Sequence, residues 1–543
     1  MTGSYSGLRR FFEHQSTRDA LAFLARQERI ALVVGAGVSR ESGLPGWTDL
    51  LENLLGEVAL SSEPFRNHEP GLSGNDFTTS VARAAIEPHT ASFKRLVMAT
   101  HGLLGAASIV KSHFPEDDYL RRLKEALYQP AKESRLDITP GATAREIAAL
   151  WTERGPGRLT VITTNYDLLI ELALLDADVA ASEVEIVSGA PDRDEADVER
   201  YRVIHLHGVI PHPNQPTALS VPSGDIVLAE DDYFGALDSA PATATRLYCQ
   251  SLLERVSSLF VGTSLTDPNL LSYLHGTTGR TSSDVRHYVL GIGQGDQPPG
   301  ANATELALAA SRSAAAGRLS HMGAESLAAD FFCQTSLFLR ELRRTETEEV
   351  PLVEVLEQWF RLAVRIGVLP GPAFAARRSP TRLALSAAAR TISKNFADTG
   401  ALRQVNETLS LHLWVHDPTT DELVLVARSD LEFHDENMLE RHPVEMPFHR
   451  LVVEAVCSGA PLEADGPALA SSKWGSMLVV PINVELRELA HSAVPAGAIV
   501  LASDLADDAG LTRLRGTPAE RAYLLTTLAQ LGIRLLTGSR EPS

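Results

Sequence analysis

The sequence predicts an α/β domain built on a parallel sheet with a helical insertion, followed by a smaller α+β domain with an antiparallel sheet. Three observations predict it. Between residues 30 and 293, short hydrophobic stretches recur with helical spacers between them, the signature of a parallel sheet. Residues 49–150 break that rhythm with an Ala-, Leu- and Glu-rich run that lacks strand alternation. After about residue 385 the pattern turns to hairpins and isolated helices. A chain of 543 residues is in any case too long for one hydrophobic core.

The elements follow in order. Leu8, Phe11, Phe12, Leu21 and Leu24 fall at helical spacing, which predicts helix over 8–29. "IALVV" (30–34) is a β-branched run ending at Gly35, a buried strand. "DDYLRRLKEALYQ" typifies the helical lobe of 49–150. The strand pattern returns in "RLTVITTNYD" (158–167), "YRVIHLHG" (201–208), "SSLFVGTSLTDPN" (257–269) and "VRHYVLGIG" (285–293). Residues 300–400 read as helical and connective, with "LPGPAFAARRSP" (369–380) as the best linker. "LSLHLWVHDPTTDELVLVARS" (409–429) is a hairpin, "WGSMLVVPINV" and "AGAIVLASD" are further strands, and "AERAYLLTTLAQLGIRLL" is a closing amphipathic helix. The expected division is 1–300 first domain, 301–384 helical connector and 385–543 second domain.

Composition narrows the function classes. Apolar content of 44% and charged content of 22% are those of an ordinary globular protein. No apolar run reaches the ~18 residues of a membrane span and the N-terminus has no signal-peptide core, so a cytoplasmic protein without a membrane partner is expected. The net charge of −20 disfavours direct nucleic-acid binding. Cys249, Cys333 and Cys457 lie far apart with no C-x-x-C pair, which argues against a disulfide framework and a four-cysteine zinc site.

In open parallel sheets ligands bind outside the carboxyl ends of the strands. Polar clusters stand at four such ends: Gly35-Ala36-Gly37 with Ser39, Thr164-Asn165 with Asp167, His207-Gly208, and Gly262-Thr263-Ser264 with Asp267. Singly, each has a structural explanation. Gly-Ala-Gly can be a tight turn, Asn165 can cap the next helix, His207 can be a satisfied core histidine, and Asp267-Pro268 can start a helix. His205 and His207 lie on one face of a strand, but no acidic or cysteine partner sits at ligand spacing, so no metal is expected. Arg40 stands where a dinucleotide fingerprint would place its third glycine, and no G-K-[ST] follows.

Taken together, "GAGVSRESGLP", "TTNYD", "HLHG" and "VGTSLTDPN", in this order, resemble the sirtuin-like fold over about residues 20–300. They are most similar to its bacterial NAD-consuming branch, effectors of antiphage abortive infection; "GDIVLAEDDYFGAL" (224–237) also looks like that branch. The two C-x-x-C zinc pairs of deacylating sirtuins are missing, and their Pro-Asp-Phe-Arg reads Pro45-Gly46-Trp47-Thr48 here. The resemblance implies a sirtuin-like Rossmannoid sheet and an NAD glycohydrolase that releases nicotinamide and ADP-ribose. Alternatives are an ADP-ribosyl or acyl transferase, or a non-catalytic NAD or ADP-ribose sensor. Asn165 and His207 are the implied catalytic pair, with His207 as general base. Gly35, Ala36, Gly37 and Ser39, with the helix N-terminus behind them, would meet the pyrophosphate. Gly262, Thr263 and Ser264 would contact phosphate and ribose, and Asp167 the carboxamide. Trp47, Thr164 and Asp267 complete the implied NAD contacts.

The C-terminal pattern resembles a GAF domain over about 385–538, a sensor or dimerisation module. An unregulated NADase would be lethal. A gate is therefore expected, set by a nucleotide signal, a phage protein or a partner subunit, in a homo-oligomer.

Overall fold

A computed structural model describes residues 7–62, 80–133, 139–188, 200–212, 219–222, 226–233, 240–263, 265, 267–277, 284–292, 317–329, 331, 333–344, 352, 354–356, 378–398, 408–417, 420, 422–431, 439–444, 450–465, 474–485, 493–505 and 518–537. The first sheet has seven strands: β1 (Ile30–Val34), β2 (Leu159–Thr163), β3 (Val184–Ser188), β4 (Tyr201–His205), β5 (Ser257–Val261), β6 (His287–Ile292) and β7 (Ala324–Ala329). Their order is β3-β4-β2-β1-β5-β6-β7, and every pairing is parallel. β1, β2, β4 and β5 are buried at every position, which is why they read as continuous β-branched runs rather than alternating ones.

Two strands of this sheet escape the sequence reading. β3 is short and half-buried, and β7, "AESLAA", lies in the stretch expected to be helical and connective. Both are edge strands, where no hydrophobic run is required. The expected first helix is two, α1 (Gly7–Glu13) and α2 (Gln15–Ala25).

After β1 come the one-turn α3 (Gly37–Arg40) and then the lobe: α4 (Trp47–Ser61), α5 (Ser80–His113, kinked at Gly102) and α6 (Glu116–Glu133). α7 (Ala142–Arg154) leads back to β2. The lobe has its own apolar core, with Leu51, Leu54, Leu55, Val110 and Leu123 fully buried. α8 (Leu169–Asp176), α9 (Ala240–Arg255), α10 (Pro268–Thr277) and α11 (Gln334–Arg344) complete this part.

The second sheet is antiparallel, ordered β10-β9-β8-β13-β12-β11. Its strands are β8 (Leu409–Asp417), β9 (Glu422–Arg428), β10 (Arg441–Pro443), β11 (Leu462–Asp465), β12 (Ser476–Glu485) and β13 (Ala493–Ser503). The expected hairpin is β8–β9 and the two further strands are β12 and β13. α12 (Arg378–Asp398), α13 (Leu451–Ser458) and α14 (Pro518–Thr537) pack on this sheet. Residues 369–377 of the expected linker lie outside the described residues. The two sheets share one apolar core: the Phe331 ring after β7 meets His416 on β8 at 5.7 Å, and α14 packs on α6 of the lobe. No described helix is long and apolar enough to cross a membrane.

Candidate active site

The chain winds from β1 through β2 to one edge of the sheet, then returns to β5 on the other flank of β1. That reversal opens a crevice at the carboxyl ends of β1, β2 and β5. A cleft of about 590 Å³ occupies it, within the ~300–1,000 Å³ common for small-molecule sites. Its wall carries Gly35, Ala36, Gly37, Ser39, Trp47, Thr164, Asn165, Asp167, His207, Gly262, Thr263 and Asp267. Ser264 lies outside the described residues.

The glycine turn is seated on the end of β5. Gly35 N–H donates to Val261 O at 2.9 Å and Gly37 N–H to Gly262 O at 2.8 Å. A Cβ on Gly35 would stand 2.6 Å from Gly262 O, and one on Gly37 2.7 Å from the same atom. The close approach that these glycines permit is therefore first to a second backbone turn. The helix expected behind them is only the four residues of α3, ended by a turn in which Gly43 takes φ +78° before Pro45. A single turn cannot supply the helix N-terminus expected for a pyrophosphate.

The polar residues at the end of β2 are locked together. Asn165 Nδ2 donates to Gly35 O (3.1 Å) and Ser39 Oγ (2.8 Å), and Ser39 Oγ donates to Asp167 Oδ2 (2.7 Å). Asp167 Oδ1 accepts Leu169 N–H, so Asp167 rather than Asn165 contacts the first turn of α8, whose N-cap is Leu168. Burial pushes the Asp167 carboxyl up, against the pull of Ser39 and the Leu169 amide. Asn165 Oδ1 is buried and has no hydrogen-bond partner among the described residues.

The two histidines at the end of β4 part company. His205 uses both ring nitrogens inside the protein, Nδ1 at 2.9 Å from Asn165 O and Nε2 at 2.8 Å from Glu171 Oε1. Burial pulls the His205 pKa down, but Glu171 and Asn165 more than offset this and raise it. That leaves His205 as the ring that fixes the Asn165 backbone. His207 lines the cleft, buried, with Nε2 3.1 Å from Asp267 Oδ2 yet without a hydrogen bond. The rings of Tyr233 and Tyr166 flank it at 5.6 and 6.4 Å.

Among the described residues, two buried polar atoms on cleft residues thus lack a partner, Asn165 Oδ1 and Trp47 Nε1, while His207 Nε2 has only the Asp267 carboxylate at ion-pair distance. An unpaired buried polar group costs about 1–3 kcal/mol, and a bound ligand can satisfy it. Sequence reasoning missed Glu41, Tyr233, Thr335 and the Ser458-Gly459-Ala460 turn as cleft residues. Tyr233 stood inside a segment that did attract notice. Nothing local marks the α13–β11 turn, which reaches the cleft only through packing of the second sheet.

The fold is a parallel α/β sheet with a cleft at its topological switch point. Residues 159–310, which carry Asn165, Asp167, His207 and Asp267, match the family model of the SIR2-like domain. Among solved structures, a mutant Sir2 homologue in complex with ADP-ribose is 14% identical, with a TM-score of 0.32 over 61% of this chain and 99% of that one. A Sir2 homologue in complex with NAD is 14% identical, with a TM-score of 0.28 over 61% and 95%. A structure described as the structural basis of sirtuin substrate affinity is 16% identical, with a TM-score of 0.24 over 51% and 88%. Among curated proteins none matches.

Proposed function

We propose that the cleft binds NAD and hydrolyses the bond between nicotinamide and ribose. The observation that supports this most is the convergence of Asn165 and His207 on one cleft, with Asn165 Oδ1 buried and unpartnered among the described residues and His207 Nε2 set against the Asp267 carboxylate. The SIR2-like match and the NAD and ADP-ribose complexes of the neighbouring structures agree with a nucleotide ligand.

In this reading the C1′–N bond breaks, the electron pair leaves with nicotinamide, and positive charge develops on the ribose. Asn165 Oδ1 orients the ribose or the attacking water. Positioning of this kind can supply several kcal/mol of a barrier. A water oxygen bonds to C1′ and gives its proton to His207, which passes it to solvent. Asp167, kept beside Asn165 by Ser39, faces the leaving group. In the cell the output would be NAD depletion, the action of an abortive-infection effector. The second domain, a GAF-like sensor or dimerisation module in a homo-oligomer, would gate it. Its α13–β11 turn in the cleft wall supports a direct route for such gating. The trigger would be a nucleotide signal, a phage protein or a partner subunit.

The test is NAD consumption by the full chain, alone and with lysate of phage-infected cells, with products identified by mass. Nicotinamide and ADP-ribose are expected. Asn165→Ala and His207→Ala should each remain folded, and loss of the base should cost ~10²–10⁴-fold in rate. ADP-ribose attached to protein would instead indicate a transferase. Absence of turnover under every condition would overturn the enzyme reading.

A further inference from the structure

Asp267 is a member of the cleft wall by position, but its side chain is committed to the protein. Its Oδ1 accepts Leu270 N–H at 2.8 Å, capping α10. Its Oδ2 accepts the Tyr233 hydroxyl at 2.6 Å and stands 3.1 Å from His207 Nε2. The three side chains come from three separate elements, the end of β4, the start of α10 and the 226–233 segment. The His207 and Tyr233 rings also meet edge to face, with an interplanar angle of 78°.

We infer that His207, Asp267 and Tyr233 work as one series, a Tyr233–Asp267 hydrogen bond continued by the Asp267–His207 ion-pair contact, in which Asp267 and Tyr233 are positioning residues that set the proton affinity of the His207 ring. The role of this series in catalysis rests on the hydrolase reading above; its effect on His207 does not. With Nε2 turned to the carboxylate, the other ring nitrogen takes the substrate proton. The resulting imidazolium then lies against a fixed anion. Tyr233 tempers that anion by donating to the oxygen that faces His207.

The surroundings suit this arrangement. Burial raises the Asp267 carboxyl, but the His207 ring, the Tyr233 hydroxyl and the Leu270 amide together hold it below the usual carboxylate range. Burial and then Asp267 push the Tyr233 phenol far up, so it stays a donor. The other titratable groups that face these residues are Tyr166 and Tyr273, with Tyr119 and Asp232 beyond them. Of the nearby cations, Arg246 stands toward Tyr273 and Lys111 is bound to Asp231 and Asp232. Lys111 belongs to α5, so the lobe pins the turn that presents Tyr233. The Leu228 and Ala229 amides, both donating to Asp232 Oδ2, stiffen the same turn.

The experiment is the titration of ¹³C-labelled histidines in the full chain by NMR, with the His207 signal identified by its loss in His207→Ala. Asp267→Asn keeps the helix cap, since Asn serves that position as well as Asp, and Tyr233→Phe keeps the ring. Removing the anion should lower the His207 midpoint by about one pH unit or more. Removing the tempering hydroxyl should raise it. The acid limb of the kcat/KM profile for NAD should move in the same two directions. Midpoints that stay put, or move together, overturn the series. Shifted midpoints with an unmoved acid limb overturn its part in catalysis. A wild type that titrates as expected but never cleaves NAD keeps the series and ends the hydrolase reading.

Discussion

Gly35, Gly37 and Gly262 show how three residues without side chains let two turns of the cleft wall meet. Each lies where a Cβ would meet the backbone of the facing turn, and Gly262 also takes φ +65°. Gly262→Ala therefore faces two obstacles, a left-handed backbone and a contact of 2.7 Å with Val38 N. It should cost on the order of 1–3 kcal/mol, read by denaturant unfolding. An unchanged midpoint would mean that the two turns can separate freely. Glycine at 35 and 37 is plain in the sequence; what it approaches is not, because Gly262 lies more than two hundred residues further on.

At the scale of the element, α7 starts without a cap of its own. Its N-cap is Gly141, and a Cβ there would collide with Glu41 at 2.4 Å. Glu41, just past α3, does the capping: Oε2 accepts Thr143 N–H and Oε1 accepts the Thr143 hydroxyl, both at 2.7 Å. Burial raises the Glu41 pKa from 4.5 to about 7, against the lowering pull of Thr143 and Arg145. The folded chain thus holds this proton to a higher pH than the unfolded chain does. The stability this contributes is complete below 4.5 and is lost as pH rises towards 7. The Tm of the wild type minus that of Glu41→Gln should fall across this window; a constant difference would show that Glu41 does not titrate there. A helix start at Ala142 is legible from "PGATARE", but a cap supplied from a hundred residues upstream leaves no local mark.

At the scale of the molecule, the turn that leads into the second sheet is part of the cleft wall. Ser458, Gly459 and Ala460 line it beside Thr335, and Gly459 makes the turn with φ +69°. If this turn limits access to NAD, Ala460→Trp should raise KM several-fold while kcat changes little. An unchanged KM would place the turn outside the path of the substrate. The antiparallel domain was legible through its hairpins, yet nothing in its own residues points to the first domain. The contact depends on Phe331 meeting His416 and on α14 lying against α6.

By itself the sequence determined the parallel sheet, the helical lobe, the antiparallel sheet and the polar residues at four strand ends. These are local matters: buried strands need unbroken β-branched runs, amphipathic helices need their spacing, and tight turns need glycine. Only the tertiary structure decided which partner each polar group takes. It divided two neighbouring histidines between a core pair with Glu171 and a cleft pair with Asp267, and it set Tyr233 behind the second. Those choices depend on which elements are brought within hydrogen-bonding distance. Distance in space across a folded sheet is not encoded in any local run of residues.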